Sequence, residues 1–133
     1  MRRRPSAGQP TEAALEILNV LWEAGPSPLG DIHAALADRG LGRGYTTTQK
    51  MIQVMHEKGF LRKDDAKRPH LYATAEAKEM TQSKLVDYVR HRAFGGSVRD
   101  LVLSAVSGEQ LTADELAEIK RQITAAQRKE KKG

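Results

Sequence analysis

Apolar residues recur every three or four positions over successive segments near the start of the chain, and this spacing predicts amphipathic helices. The first helix begins with Thr11 as its N-cap and ends before Gly25. The second has Ser27 as its N-cap and Pro28 at its first helical position, and it ends near Asp38.

A third helix and a hairpin follow. After a glycine-rich connector over 40–44, helical periodicity returns over 45–58 and stops at Gly59. The runs 60–63 and 70–74 have strand composition and flank a charged turn, so they predict a two-stranded hairpin. Strand content elsewhere is expected to be negligible. Three helices followed by a hairpin is the order of a winged helix-turn-helix, in which the hairpin is the wing.

From residue 76 onward the pattern is almost uninterrupted helix, with breaks at Gly95-Gly96 and Gly108. Thr112 and Glu115 form a capping box for the last helix. These helices carry apolar residues on several faces, which a segment of this size cannot easily bury alone. They predict a dimerisation domain, although a fold-back onto the preceding domain stays open. The predicted dimer contacts are Leu85, Tyr88, Val89, Leu101, Val102, Ala105, Leu116, Ile119 and Ile123.

The predicted fold class is therefore mainly α: an N-terminal winged helix-turn-helix with a two-stranded wing, followed by a C-terminal helical dimerisation domain. The predicted organisation is a flexible basic arm over 1–10, the winged helix over 11–75, the dimerisation domain over 76–126, and a disordered basic tail over 127–133.

Positive charge is concentrated in one part of the chain. Lys and Arg total 22 against 17 Asp and Glu, and this net charge of +5 is by itself weak evidence for a polyanionic partner. Residues 43–70 hold seven Lys or Arg against three Asp or Glu, a local charge of +4. That concentration favours contact with nucleic acid.

The third helix has a polar face suited to reading DNA. Its apolar stripe is centred on Thr48, Met51, Ile52 and Met55, which leaves polar side chains opposite. Gln pairs with adenine, Thr contacts thymine, and Lys favours guanine or a phosphate. The alternative is the ordinary solvated face of an amphipathic helix, and the position between a helix-turn and a basic hairpin favours DNA. The candidate base-reading residues are Tyr45, Thr46, Thr47, Gln49, Lys50 and Gln53.

Three further basic residues are predicted to contact the DNA backbone. Lys67 and Arg68 lie at the tip of the hairpin, and Arg43 lies in the connector before the third helix. Cationic side chains in a wing lie beside phosphates or enter the minor groove. The Arg-rich start of the chain is a further candidate for phosphate contact.

Several function classes are disfavoured. The chain has no Cys, and its four His residues form no metal-ligand spacing. No nucleophile elbow, phosphate-binding loop or zinc-protease pattern is present. No catalytic residue, metal or cofactor is therefore expected. Because no apolar run is long enough for a membrane span and no secretion signal is evident, the protein is expected to be soluble and cytoplasmic.

Five segments together resemble the penicillinase repressor family (BlaI/MecI/CopY). The segment 11–22 resembles the first helix of the family, 31–36 the second, and 45–47 the start of its recognition helix. The segment 58–61 leads into the wing, and 67–72 is similar to the basic motif of the wing. The resemblance implies a dimeric bacterial repressor that binds operator DNA through its winged helix, without a small-molecule pocket.

The chain departs from the family pattern in ways that limit the carry-over. Thr48, Lys50 and Val54 replace the usual recognition-helix residues, so the operator sequence does not carry over. Some family members are inactivated when a sensor-activated protease cuts an Asn-Phe bond, where this chain has Ser104-Ala105. A sensor protease remains a candidate partner, but that cleavage site does not carry over. Without Cys, the release mechanism of the copper-responsive members is excluded.

The sequence thus favours a sequence-specific repressor that acts as a homodimer on a pseudo-palindromic operator. Two alternatives stay open: a winged helix that binds another protein rather than DNA, and a DNA-binding regulator that is gated by a small ligand. An enzyme is the remaining class, and no set of residues supports it.

Overall fold

The computed structural model describes residues 9–108 and 110–132, with side chains described up to residue 130. The chain divides between Val86 and Asp87 into an N-terminal unit and a C-terminal unit. The elements of the described residues are α1 (Glu12–Ala24), β1 (Ser27–Pro28), α2 (Leu29–Asp38), α3 (Tyr45–Glu57), β2 (Leu61–Asp64), β3 (Leu71–Thr74), α4 (Lys78–Ala93), α5 (Val98–Gly108) and α6 (Ala113–Lys132).

The first helix begins as the sequence predicts. The Oγ1 atom of Thr11 accepts a hydrogen bond of 3.0 Å from the backbone N–H of Ala14, which satisfies one of the free donors of the first turn of α1. Glu12 adds a negative charge at the positive end of the helix dipole. The basic arm predicted before this helix falls, over residues 1–8, outside the described residues.

The predicted cap of the second helix is wrong. Pro28 is the N-cap of α2, and Ser27 instead lies in β1, where its hydroxyl donates to the carbonyl of Gly25 at 2.8 Å. The two residues pair with β3, Ser27 opposite Tyr72 and Pro28 opposite Leu71. Pro tolerates this place because β1 is an edge strand.

The sheet therefore has three antiparallel strands in the order β1-β3-β2. The hairpin of β2 and β3 pairs Leu61 with Thr74 and Asp64 with Leu71, so the predicted two-stranded wing is confirmed. Beyond the wing, the described residues add β1, a strand of two residues that the sequence does not predict. A strand of two residues is too short to show an alternating pattern in the sequence.

Two glycines reverse the chain at the ends of α2 and α3. Gly40 has a φ angle of 76°, and the N–H of the next residue, Leu41, donates to the carbonyl of Leu36 at 2.8 Å. Gly59 repeats the arrangement with a φ angle of 89°, and the N–H of Phe60 donates to Met55 at 2.9 Å. Because this left-handed backbone suits Gly, these turns fix where α3 starts and where the wing departs from it.

The core of the N-terminal unit lies among its first three helices and the wing. Half-buried Trp22, Phe60 and Tyr72 pack around it. The apolar stripe predicted for the third helix is confirmed, since Thr48, Ile52 and Met55 are buried. The buried core consists of Ala14, Ile17, Leu18, Val20, Leu21, Ile32, Leu36, Ile52, Met55 and Leu61.

The C-terminal unit is built of helices whose starts are capped. The Oγ atom of Ser97 accepts from the N–H of Asp100 at 3.0 Å before α5. Before α6, Thr112 Oγ1 accepts from the N–H of Glu115 at 3.0 Å, and the Glu115 carboxylate accepts from the N–H of Thr112 at 2.9 Å. The predicted capping box is thus confirmed.

The last helix is longer than the sequence predicts. The sequence predicts a disordered tail over 127–133, whereas α6 runs to Lys132. Its last turns consist of Gln, Arg, Lys and Glu, which all have high helix propensity and can continue a helix without burying a face. None of the helices in the described residues has both the length and the hydropathy of a membrane span.

Candidate nucleic-acid interface

The helix α3 turns one face into the core and the other to solvent. Thr48, Ile52 and Met55 are buried, as the predicted apolar stripe requires. The opposite face is polar, and it lies on the second helix of the helix-turn-helix, the helix that enters the major groove in proteins of this architecture. The six candidate base-reading residues are all exposed: Tyr45, Thr46, Thr47, Gln49, Lys50 and Gln53.

A polar contact fixes the start of α3 to α2. Nδ1 of His33 lies 3.1 Å from Oγ1 of the fully buried Thr48, whose hydroxyl is also 3.4 Å from the carbonyl of Gly44. The ring of Tyr45 meets the His33 ring edge-on, with 5.2 Å between centroids. His33 thus has a structural role, although the sequence alone does not reveal its partner. Its pairing with Thr48 depends on the angle between two helices, which spacing along the chain does not reveal.

Arg43 is engaged within the protein. Its guanidinium lies 3.0 Å from the carboxylate of Glu16 on α1 and donates to the carbonyl of Leu41 at 3.3 Å. About a third of the Arg43 side chain is exposed, whereas Glu16 is largely covered. The ion pair therefore holds the connector before α3 against α1. Arg43 still presents part of its charge to solvent, but it is less free to reach a phosphate than the sequence suggested.

The tip of the wing carries both predicted cations in exposed positions. Arg68 donates to the backbone carbonyl of Asp65 at 2.7 Å and to that of Lys67 at 3.3 Å, so its side chain folds over the turn. The carboxylate of Asp65 lies 3.7 Å from Lys63 and 3.8 Å from His70. Among the described side chains, Lys67 forms no ion pair. Of the two cations at the wing tip, Lys67 is thus the more available to a phosphate.

An apolar groove runs beside the exposed face of α3. It has a volume of about 340 Å³ and lies between α3 and the N-terminal turn of α1. It is lined by Val54 of α3 and by Lys58, the C-cap that follows this helix. Thr46, Thr47 and Lys50, which belong to the candidate DNA-reading face, line it as well. The sequence does not predict this groove. Its only trace in the sequence is Val54, an apolar residue on an otherwise polar face.

The C-terminal unit leaves most of its apolar residues uncovered in the single chain. No residue of α5 is buried. Of the predicted dimer contacts, Leu85, Leu101 and Ile119 are half-buried. The exposed ones are Tyr88, Val89, Val102, Ala105, Leu116 and Ile123, and three further apolar residues of α5, Val98, Leu103 and Val106, are exposed with them.

No group of His, Asp or Glu side chains in the described part of the chain is arranged to hold a metal ion.

The fold, the exposed polar face of α3 and the basic wing together define the class of the protein. The helix-turn-helix of α2 and α3, followed by the basic β2–β3 wing, is a winged helix of the kind that binds DNA.

The chain belongs to the penicillinase repressor family, whose family model matches residues 10–125. The match covers both units and confirms the resemblance that the sequence segments indicate. Membership identifies a DNA-binding transcriptional repressor, in a family of regulators rather than enzymes. A search of curated proteins finds no relative that matches the chain.

Proposed function

We propose that the protein is a sequence-specific repressor that binds a pseudo-palindromic operator as a homodimer. The observation that carries the proposal is the exposed polar face of α3, held in place by the burial of the opposite face and flanked by a basic wing. Thr46, Thr47 and Lys50 occupy the end of the helix that reaches deepest into a major groove in this architecture. Gln49 and Gln53 provide the amides that pair with adenine.

Backbone contacts orient this helix on the duplex. Lys67 is exposed at the wing tip, where its ammonium group is available to a phosphate. Arg68 would exchange its two backbone carbonyl partners for a phosphate or the minor groove. Its hydrogen bond to a charged phosphate would be stronger than its bonds to the neutral carbonyls. Arg43 supports the interface chiefly through its ion pair with Glu16.

The uncovered apolar residues of the C-terminal unit support the homodimer. A helix such as α5, with no buried residue and four exposed large apolar side chains, is unfavourable in water unless a partner covers it. One winged helix reads few base pairs, and a second copy doubles the number that are read.

Ser104 and Ala105 are exposed within α5. Cleavage there by a sensor protease would require α5 to unwind first, because a protease binds its substrate as an extended segment. We therefore propose that any release through a protease acts on another bond or on unfolded α5.

Titration of a labelled DNA fragment from upstream of its own gene tests the proposal. Replacing Lys50 and Arg68 with Ala is expected to lower the affinity roughly a hundredfold, because a base contact and a backbone contact are lost in each subunit. The matched control replaces Lys78 and Lys129, which are exposed cations outside the interface. Equal binding by the two double variants would contradict the proposal and favour a protein-binding winged helix.

A further inference from the structure

The groove between α1 and α3 has an apolar floor. Met51 and Met55 contribute from α3, Ala13 and Ala14 from α1, and Phe60 closes the end near the wing. Its volume of about 340 Å³ is at the lower end of the range of roughly 300–1,000 Å³ for small-molecule sites. The size and the lining suit a short apolar chain or a single ring system.

The rim of the groove is positively charged. Lys50 and Lys58 line it, and no Asp or Glu is among its lining residues in the described part of the chain. Neither lysine forms an ion pair with another described side chain, so both charges are available to an occupant. An apolar floor with two uncompensated ammonium groups is complementary to a molecule with an apolar body and one negative group.

We propose that this groove binds a small monocarboxylate with an apolar body, and that this ligand releases the protein from DNA. The apolar body lies on Met51, Met55 and Phe60. The carboxylate faces Lys50 and Lys58, which donate charge-assisted hydrogen bonds to it.

The groove and the proposed base-reading face of α3 share an edge, and this edge couples ligand binding to DNA binding. Thr46, Thr47 and Lys50 line the groove and also belong to the proposed base-reading face. An occupant therefore neutralises a cation that the DNA needs and covers side chains that would contact base edges. Ligand and DNA compete for the same residues, which amounts to negative coupling between the two binding events. This step rests on the proposed function, whereas the binding site itself does not.

Direct binding is tested by NMR on the full chain with ¹³C-labelled Met methyl groups and decanoate below its micelle concentration. The Met51 and Met55 methyl resonances are expected to shift and saturate, because both side chains line the groove. Met80 is the internal reference, since it is exposed on α4 and does not line the groove. Decan-1-ol and decylammonium are expected to bind more weakly than decanoate, because they lack the negative charge.

A groove-filling variant provides the matched comparison. Ala13→Leu places a larger side chain in the groove from α1, outside the proposed DNA contacts, and is expected to abolish the shifts while leaving DNA binding intact. Ala34→Leu, at an exposed position of α2 outside the groove, is expected to keep both the shifts caused by decanoate and the binding of DNA. Lys58→Gln is expected to weaken decanoate about two- to fivefold, the effect of one exposed charge.

The two proposals fail in different ways. If Met51 and Met55 do not shift while the DNA fragment is bound normally, the ligand site is overturned and the repressor stands. If they shift but the chain binds no DNA, the site stands and the proposed function fails. Release of DNA by decanoate from the parent chain and from A34L, but not from A13L, supports the coupling. Equal release from A13L contradicts it.

Discussion

The Nδ1 atom of His33 lies 3.1 Å from the Oγ1 atom of Thr48, and this contact joins the two helices of the helix-turn-helix. Thr48 is fully buried, so its hydroxyl has no water to replace a lost partner. When the hydroxyl donates to the carbonyl of Gly44, 3.4 Å away, it accepts from the His33 ring. The angle at which α3 leaves α2 is therefore held by a polar contact in an otherwise apolar interface.

The contact predicts a coupling between the two residues. His33→Ala and Thr48→Val each remove one partner, and the double variant is expected to be less destabilised than the sum of the single variants. The coupling free energy should be about 0.5–1.5 kcal/mol, the net value of one hydrogen bond. Urea unfolding of the four proteins measures it.

The control is a second double-mutant cycle, which combines His33→Ala with Thr47→Val instead of Thr48→Val. Thr47 is the exposed neighbour, and its side chain makes no hydrogen bond within the described part of the chain. The two changes are expected to add to within about 0.5 kcal/mol. Equal coupling in both cycles would show that His33 acts on α3 without a direct bond to Thr48.

Glu76 gives the stability of the N-terminal unit a pH dependence. Hydrogen bonds from Lys84 at 2.8 Å and from Thr81 at 2.7 Å lower the pKa of its carboxyl below the ordinary value of 4.5. A lowered folded-state pKa stabilises the fold above the ordinary pKa, and this contribution disappears as the pH falls through the folded-state pKa. Glu76→Gln is therefore expected to cost about 0.5 kcal/mol at neutral pH and nothing in acid, since the side chain is partly solvated.

Urea unfolding between about pH 7 and pH 3 measures this difference. Glu79→Gln is the control, because Glu79 lies in the first turn of α4 and shares the interaction with the helix dipole. At neutral pH, Glu79→Gln is expected to lower the free energy of unfolding by less than Glu76→Gln does. A cost for Glu76→Gln that is the same at every pH would mean that packing, not charge, explains it.

The sequence predicted the winged helix well because its evidence is local. The caps at Thr11 and Thr112 need only residues within one helical turn, and the stripe through Thr48 and Ile52 follows from periodicity. The third strand and the true cap of α2 depend instead on β3, more than 40 positions away from Ser27. Local preference for Ser as an N-cap is weaker than pairing in the sheet.

The sequence predicts which face of α3 forms the candidate site, but not the contacts that surround this face. Exposure of Gln49 and Gln53 follows from the helical wheel. The ion pair of Arg43 with Glu16 and the groove beside Val54 both arise where α1 packs near α3. Such contacts depend on tertiary packing, which spacing along the chain does not encode.

Base reading and backbone binding are expected to differ in their response to mutation. Gln49→Ala should relax the preference for one base pair in each half-site, by about 1–3 kcal/mol if the amide pairs with adenine. Lys67→Ala should weaken binding to all sequences alike and reduce the salt dependence by about one counterion per subunit.

Titrations of the operator and of single-base variants at several salt concentrations separate the two effects. Gln127→Ala is the control for Gln49→Ala, because it removes the same amide from an exposed position on α6. If Gln49→Ala weakens all sequences equally, the amide does not read a base and serves only to position the helix.

The apolar face of α6 predicts a partner surface that a single charge disrupts. Ile123 is 51% exposed in the single chain, and Ile123→Glu would place a carboxylate in the proposed dimer interface. The desolvation cost of an unpaired charge is several kcal/mol, so the dimer is expected to dissociate at micromolar concentration. Ala125→Glu introduces the same charge two positions along, on a different face of the helix, and is expected to leave the dimer intact. Sedimentation should give twice the 14.7 kDa chain mass for the parent and A125E, and the chain mass for I123E. A parent chain that sediments as a monomer would overturn the dimer, and the exposed residues of α5 and α6 would then need a different partner.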